Sequence, residues 1–153
     1  MKNFKIISIV IMLLSIQYLS AQKNEKYYFN KTLNSSFEET DTKLRAVMKE
    51  QGFGVISEID MDVKLKEKLS DVKLKPYRIL GFCNPGYAYQ TIQEEENIGL
   101  FLPCKVLIKD LGNEKTEVVM VNPSALMNTL GNKKLDKIAK KVTRKFLAAL
   151  EKL

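Results

Sequence analysis

Histidine and tryptophan are absent from the 153 residues, and cysteine occurs only twice, at Cys83 and Cys104. Without histidine the chain has no Ser-His-Asp or Cys-His catalysis, no histidine-bound zinc or iron, and no histidine ligand for haem. A glycine-rich phosphate loop is missing as well, because Gly52 and Gly54 do not extend into one. The cysteines stand 21 positions apart, which is not the CxxC spacing of thiol-disulfide oxidoreductases. Glu94, Glu95 and Glu96 form an acidic run. Neighbours on a helix do not share a face, so this run reads as a solvated helix end.

One long apolar run is present, Ile6 to Leu19, and Ser8, Ser15 and Gln17 interrupt it. It is shorter than the roughly 20 residues a spanning helix needs. Lys2 and Lys5 precede it and Ala21 offers a small residue for cleavage, so residues 1–21 read as a secretory signal peptide, with a membrane anchor as the alternative. Neither cysteine lies at the cleavage point, which excludes an amino-terminal lipid on cysteine. The mature chain, 22–153, is then one exported domain, periplasmic or extracellular, with no stable membrane span. Losing Lys2 and Lys5 lowers the formal charge from +7 to +5. That value is moderate, and nucleic acid is not an expected partner.

Local signals place most elements. Tyr27 to Thr32 has the aromatic content and alternation of a strand. Ser36 followed by Glu39 makes a capping box, and Phe37, Leu44, Val47, Met48 and Gln51 recur at helical spacing up to Gly52. Phe53 to Met61 alternates as a half-wet strand in which Asp60 is a solvated carboxylate. The segment Asp62 to Leu69 predicts a short helix capped by Asp62. The same five letters recur at 71–75, but there they run into Pro76 and should be extended. Lys105 to Lys109 and Thr116 to Val121 are strands around a Leu111 to Lys115 loop, whose Gly112 and Asn113 suit a tight hairpin. Asn122 and Pro123 end the second strand, and one helical turn follows over Ser124 to Met127. The last helix, Lys133 to Leu150, has one apolar stripe and a basic face; the stripe should cover a sheet while the lysines face water.

The centre of the chain is Tyr77 to Val106. Tyr77 to Phe82 reads as a strand, Asn84 as a helix cap and Pro85 as the first helical residue, so Cys83 sits where strand gives way to helix. The helix runs from Tyr87 to about Glu95, and Ile98 to Leu102 leads through Pro103 to Cys104. If the flanking strands are antiparallel neighbours, the two cysteines meet.

The blocks GFGVISEIDM (Gly52 to Met61), YRILGFCNP (Tyr77 to Pro85), IGLFLPCKV (Ile98 to Val106) and the Asn122-Pro123 pair, in this order, resemble the domain of unknown function 302 (DUF 302) family. The resemblance covers roughly Tyr28 to Leu150. It implies an α+β fold of the TATA-box-binding-protein type, strand-helix-four strands-helix, and a homodimer, but no DNA binding. With the residue pattern, it predicts a largely antiparallel five-stranded sheet packed against two long helices.

Three functions fit this reading. The first is a non-catalytic accessory module that binds a small apolar ligand in a groove lined by Phe82, Tyr87, Phe101 and Met127, with Asn84 and Arg78 as polar anchors near Cys83 and Cys104. The second is a thiol redox protein or a Cu(I) site, with Cys83 lowered in pKa at a helix N-terminus and Cys104 as its partner. The third is a structural dimer module in which the two cysteines form a disulfide. No cofactor is required by the sequence, and the balance is against an enzyme.

Overall fold

Ser36 and Glu39 cap each other reciprocally: the Glu39 N–H donates to Ser36 Oγ at 3.3 Å and the Ser36 N–H to Glu39 Oε2 at 3.1 Å. The helix this starts, α1 (Phe37–Glu50), ends at Gly52, whose φ of +84° suits a residue without a Cβ. In the computed structural model, which describes residues 26–153, α1 follows strand β1 (Tyr28–Leu33). The expected signal segment, 1–21, lies outside the described residues. No helix among the described residues is long and apolar enough to cross a membrane.

The chain continues through β2 (Gly54–Asp60), a short helix α2 (Met61–Lys66) and β3 (Tyr77–Cys83). Helix α3 (Pro85–Glu94), a 3-10 helix (Glu96–Phe101), β4 (Cys104–Gly112) and β5 (Lys115–Val121) come next. Two helices close the chain, α4 (Pro123–Asn128) and α5 (Lys133–Glu151). The five strands form one sheet in the order β1-β5-β4-β3-β2, and every neighbouring pair is antiparallel. The α+β class, the five-stranded sheet and the two long helices match the expectation.

Two local readings, the Asp62 cap and the length of the β4–β5 connection, need correction. Asp62 does not cap α2; Asp60 holds the cap position, and Asp62 is buried, accepting from the Tyr77 N–H at 3.1 Å and from Lys66. The stretch before Pro103, to which the sequence assigns no element, is a 3-10 helix. The β4–β5 connection is only Asn113 and Glu114, both at φ 54°, the signature of a primed hairpin turn, so the strands extend further than their sequence predicts. Helix α3 begins at Pro85 with Asn84 as its cap, as the Asn84-Pro85 pair predicts.

One face of the sheet presents Leu80, Phe82, Val106, Ile108, Val118 and Met120. Against it pack Leu44 and Met48 from α1 and Val142, Phe146 and Leu150 from α5. Each large apolar side chain fully buried there stabilises the fold by about 1.5–3 kcal/mol. Phe146 meets the Phe53 ring edge-to-face at 5.1 Å and locks α5 against the strand entry. A smaller cluster of Ile98, Met127, Leu135 and Ala139 joins the 3-10 helix, α4 and α5. The candidate site lies between the two clusters.

Candidate functional site

Strand β3 ends at Cys83, and the chain turns at Asn84. The Asn84 Oδ1 accepts from the Tyr87 N–H at 3.0 Å, capping α3, while its Nδ2 donates to the Gly52 carbonyl at 2.7 Å. One side chain thus starts a helix and ties it to the end of α1. Cys104 opens β4 directly opposite Phe82 in the antiparallel register. Cys83 and Cys104 therefore lie at the same end of neighbouring strands although 21 positions separate them.

Both line a cavity of about 40 Å³. Phe53, Phe82, Tyr87 and Ala88 wall one side; Ile98, Leu102, Pro123 and Met127 complete it from the 3-10 helix and α4. Ile138, Ala139 and Val142 of α5 close it. Of the expected residues, Cys83, Asn84, Tyr87, Cys104, Phe82 and Met127 are brought together here. The α5 residues were missed, because their apolar stripe reads equally well as a cover for the sheet.

Both cysteines are free. Burial raises the Cys83 thiol pKa, opposite to the lowering expected at a helix N-terminus. The Cys104 thiol is pushed up to about 11, first by burial and then by the neighbouring Cys83, with Lys105 opposing. Desolvation wins because the walls are apolar, and α3's first turn has no charged residue and already gives its Tyr87 N–H to Asn84. Asn84 has little to offer a ligand, since its Oδ1 and Nδ2 are both engaged.

Two expected residues lie elsewhere. Arg78 is five positions before Cys83 on the same strand, at the far end of the core face, where it donates to Asp41 Oδ2 at 2.6 Å and Asp60 Oδ1 at 2.7 Å. Its guanidinium lies 5.1 Å from the Phe37 ring centroid, and Arg45 extends the network from Asp41 to Glu58. Asp60, expected to be merely solvated, belongs to this cluster. Phe101 misses the cavity because the 3-10 helix carries it to a separate groove with Leu100, Pro103 and Leu126. Cys104 and Met127 border both hollows. No group of three or more His, Cys, Asp or Glu residues is placed to hold a metal among the described residues.

A family model described as "Domain of unknown function DUF302" matches residues 29–153. A solved structure, that of an uncharacterized conserved protein DUF302 from Bacillus stearothermophilus, is similar over 84% of this chain and 98% of that chain. The TM-score is 0.77 and the sequence identity 29%. No curated protein matches the chain.

Proposed function

The chain belongs to the DUF302 family, whose description assigns no activity, and we propose that it is an exported, non-catalytic module that binds a small ligand in the cavity between Cys83 and Cys104. The observation that carries this reading is the convergence of both cysteines on one apolar cavity. At about 40 Å³ it has room for a ligand of a few atoms. Thiols raised in pKa by burial are poor nucleophiles: at pH 7 a group titrating near 11 is ionised in about one molecule in ten thousand. This weighs against a thiol redox enzyme.

Xenon tests the reading. Under xenon pressure, methyl resonances of Met127, Ile138, Ala139 and Val142 should shift, while those of Ile108 and Val118 in the sheet core stay still. Uniform or absent shifts would remove the binding site. Export is checked by the mass of the natural protein, which should begin at Gln22; a chain that retains residues 1–21 would be anchored instead.

Self-association has its own support. Away from α1 and α5, the register aligns Ile59, Ile79, Leu107 and Val119 in one apolar row across four strands. All four are partly exposed, Ile59 at 42%. The Lys109–Glu117 ion pair flanks the row. Burying this row against a second copy makes a homodimer through the open sheet face. Sedimentation should give a dimer that Leu107→Lys converts to a folded monomer; a monomeric wild type would dismiss it.

A further inference from the structure

The cavity holds three sulfur atoms and few other unengaged donors. Asn84 is spent on the Tyr87 N–H and the Gly52 carbonyl, and the Thr91 hydroxyl donates to the Ala88 carbonyl at 2.8 Å. What remains toward the space is Cys83, Cys104, Met127 and the Tyr87 phenol. The chain's only two cysteines thus line one small hollow together with a thioether-bearing residue from a third element, α4.

Resting on the reading of this cavity as a binding site, we propose that it takes one Cu(I) ion, held by Cys83 Sγ, Cys104 Sγ and Met127 Sδ. Thiolate and thioether are soft ligands, and Cu(I) is the common biological ion that accepts them in threes. Zinc needs a fourth donor, typically nitrogen or another thiolate, and the apolar walls offer none. Calcium and magnesium need several oxygens. As each Cu–S(thiolate) bond forms, the thiol releases its proton to solvent; Met127 contributes a lone pair with no proton change, and copper stays Cu(I). The complex carries a charge of −1. Lys105, adjacent to Cys104 in β4, offers a positive charge in the same stretch of chain. Phe53, Phe82 and Tyr87 shield the ion from water and oxidants.

The test is an anaerobic titration of the reduced, full mature protein against the Cu(I)–bicinchoninate complex. One equivalent should transfer. Cys83→Ser and Cys104→Ser should abolish transfer, and Met127→Leu, which keeps side-chain volume, should weaken it by about tenfold or more. X-ray absorption should show three sulfur neighbours in the wild type and two in Met127→Leu. Circular dichroism and thermal melts of each variant separate ligand loss from unfolding. Failure of the reduced wild type to take copper, or an unchanged Met127→Leu, overturns the three-sulfur site. Xenon binding separates the two ideas: xenon shifts without copper transfer leave the binding module and remove the metal, whereas neither signal removes both.

Discussion

Arg78 Nη1 donates to Asp41 Oδ2 at 2.6 Å, joining the start of β3 to the first half of α1. The same guanidinium donates through Nε to Asp60 at 2.7 Å and stands 3.2 Å from Glu58, so it clamps β2, β3 and α1 together. Arg78 and Asp41 expose only 15% and 8% of their side chains, so removing one charge strands the other. Arg78→Ala should lower the unfolding free energy by about 3 kcal/mol in urea titration. Arg78→Lys should recover only part, because an ammonium cannot reach both carboxylates in the planar geometry. A loss below roughly 1 kcal/mol for Arg78→Ala would mean that the cluster behaves as an ordinary surface network.

Alkaline pH should act on the fold through Cys104. The folded chain keeps the thiol proton up to about 11, while the unfolded chain releases it near the ordinary 9.0. Below 9 the thiol is neutral in both states and contributes no pH dependence. Between 9 and 11 only the unfolded state ionises, so stability falls as pH rises, by on the order of 2–3 kcal/mol in total. Cys104→Ala should flatten this part of the stability curve relative to the wild type. Absorbance at 240 nm should show one thiol titrating well above 9 in the native protein; two ordinary thiols would contradict the burial argument.

What the sequence made legible is local. The Ser36–Glu39 box and the Asn84-Pro85 start of α3 are each written within four residues, and each forms; Asn122 and Pro123 end β5 as expected and also start α4. The placing of Cys83 and Cys104 at one end of the sheet followed from one assumption, antiparallel β3 and β4, which the register bears out. Arg78 was misplaced because its partners Asp41 and Asp60 lie 37 and 18 positions away, and only the register decides which face it shares with them. The direction of the Cys83 thiol pKa was misjudged for a related reason. The helix dipole is local to Cys83, but the residues that dry the cavity, Ile138 to Val142, come from a helix more than 50 positions downstream.

Gly81 should tolerate no side chain. It pairs with Ser57 on β2 and Lys105 on β4, and a Cβ there would run into Ser57 Oγ and the Pro103 ring at distances real atoms do not adopt. Gly81→Ala should therefore cost about 2–3 kcal/mol, near the upper range for overpacking. Adding Ser57→Ala should restore part of it, since the proline ring remains. Full restoration by the double variant would show that Pro103 moves aside freely. Thermal melts of the two variants against wild type decide the matter.

Asn122 is 2% exposed and uses its whole amide. Its Oδ1 accepts from the Ser124 N–H at 3.1 Å and from Thr143 Oγ1 at 3.4 Å, and its Nδ2 donates to the Lys26 carbonyl at 2.9 Å. The oxygen starts α4 and ties it to α5; the nitrogen holds the chain just before β1. Asn122→Ala removes both and leaves a carbonyl without its donor, so it should cost about 2 kcal/mol. Asn122→Asp keeps the acceptor and sets a carboxylate at a helix N-terminus, but it turns the Lys26 contact repulsive. Amide exchange should then separate the two jobs: Ser124 and Ala125 stay protected in Asn122→Asp while the start of β1 exchanges faster, and both regions loosen in Asn122→Ala. Equal loosening of both regions in Asn122→Asp would mean that the side chain acts as one indivisible bridge rather than as two separable bonds.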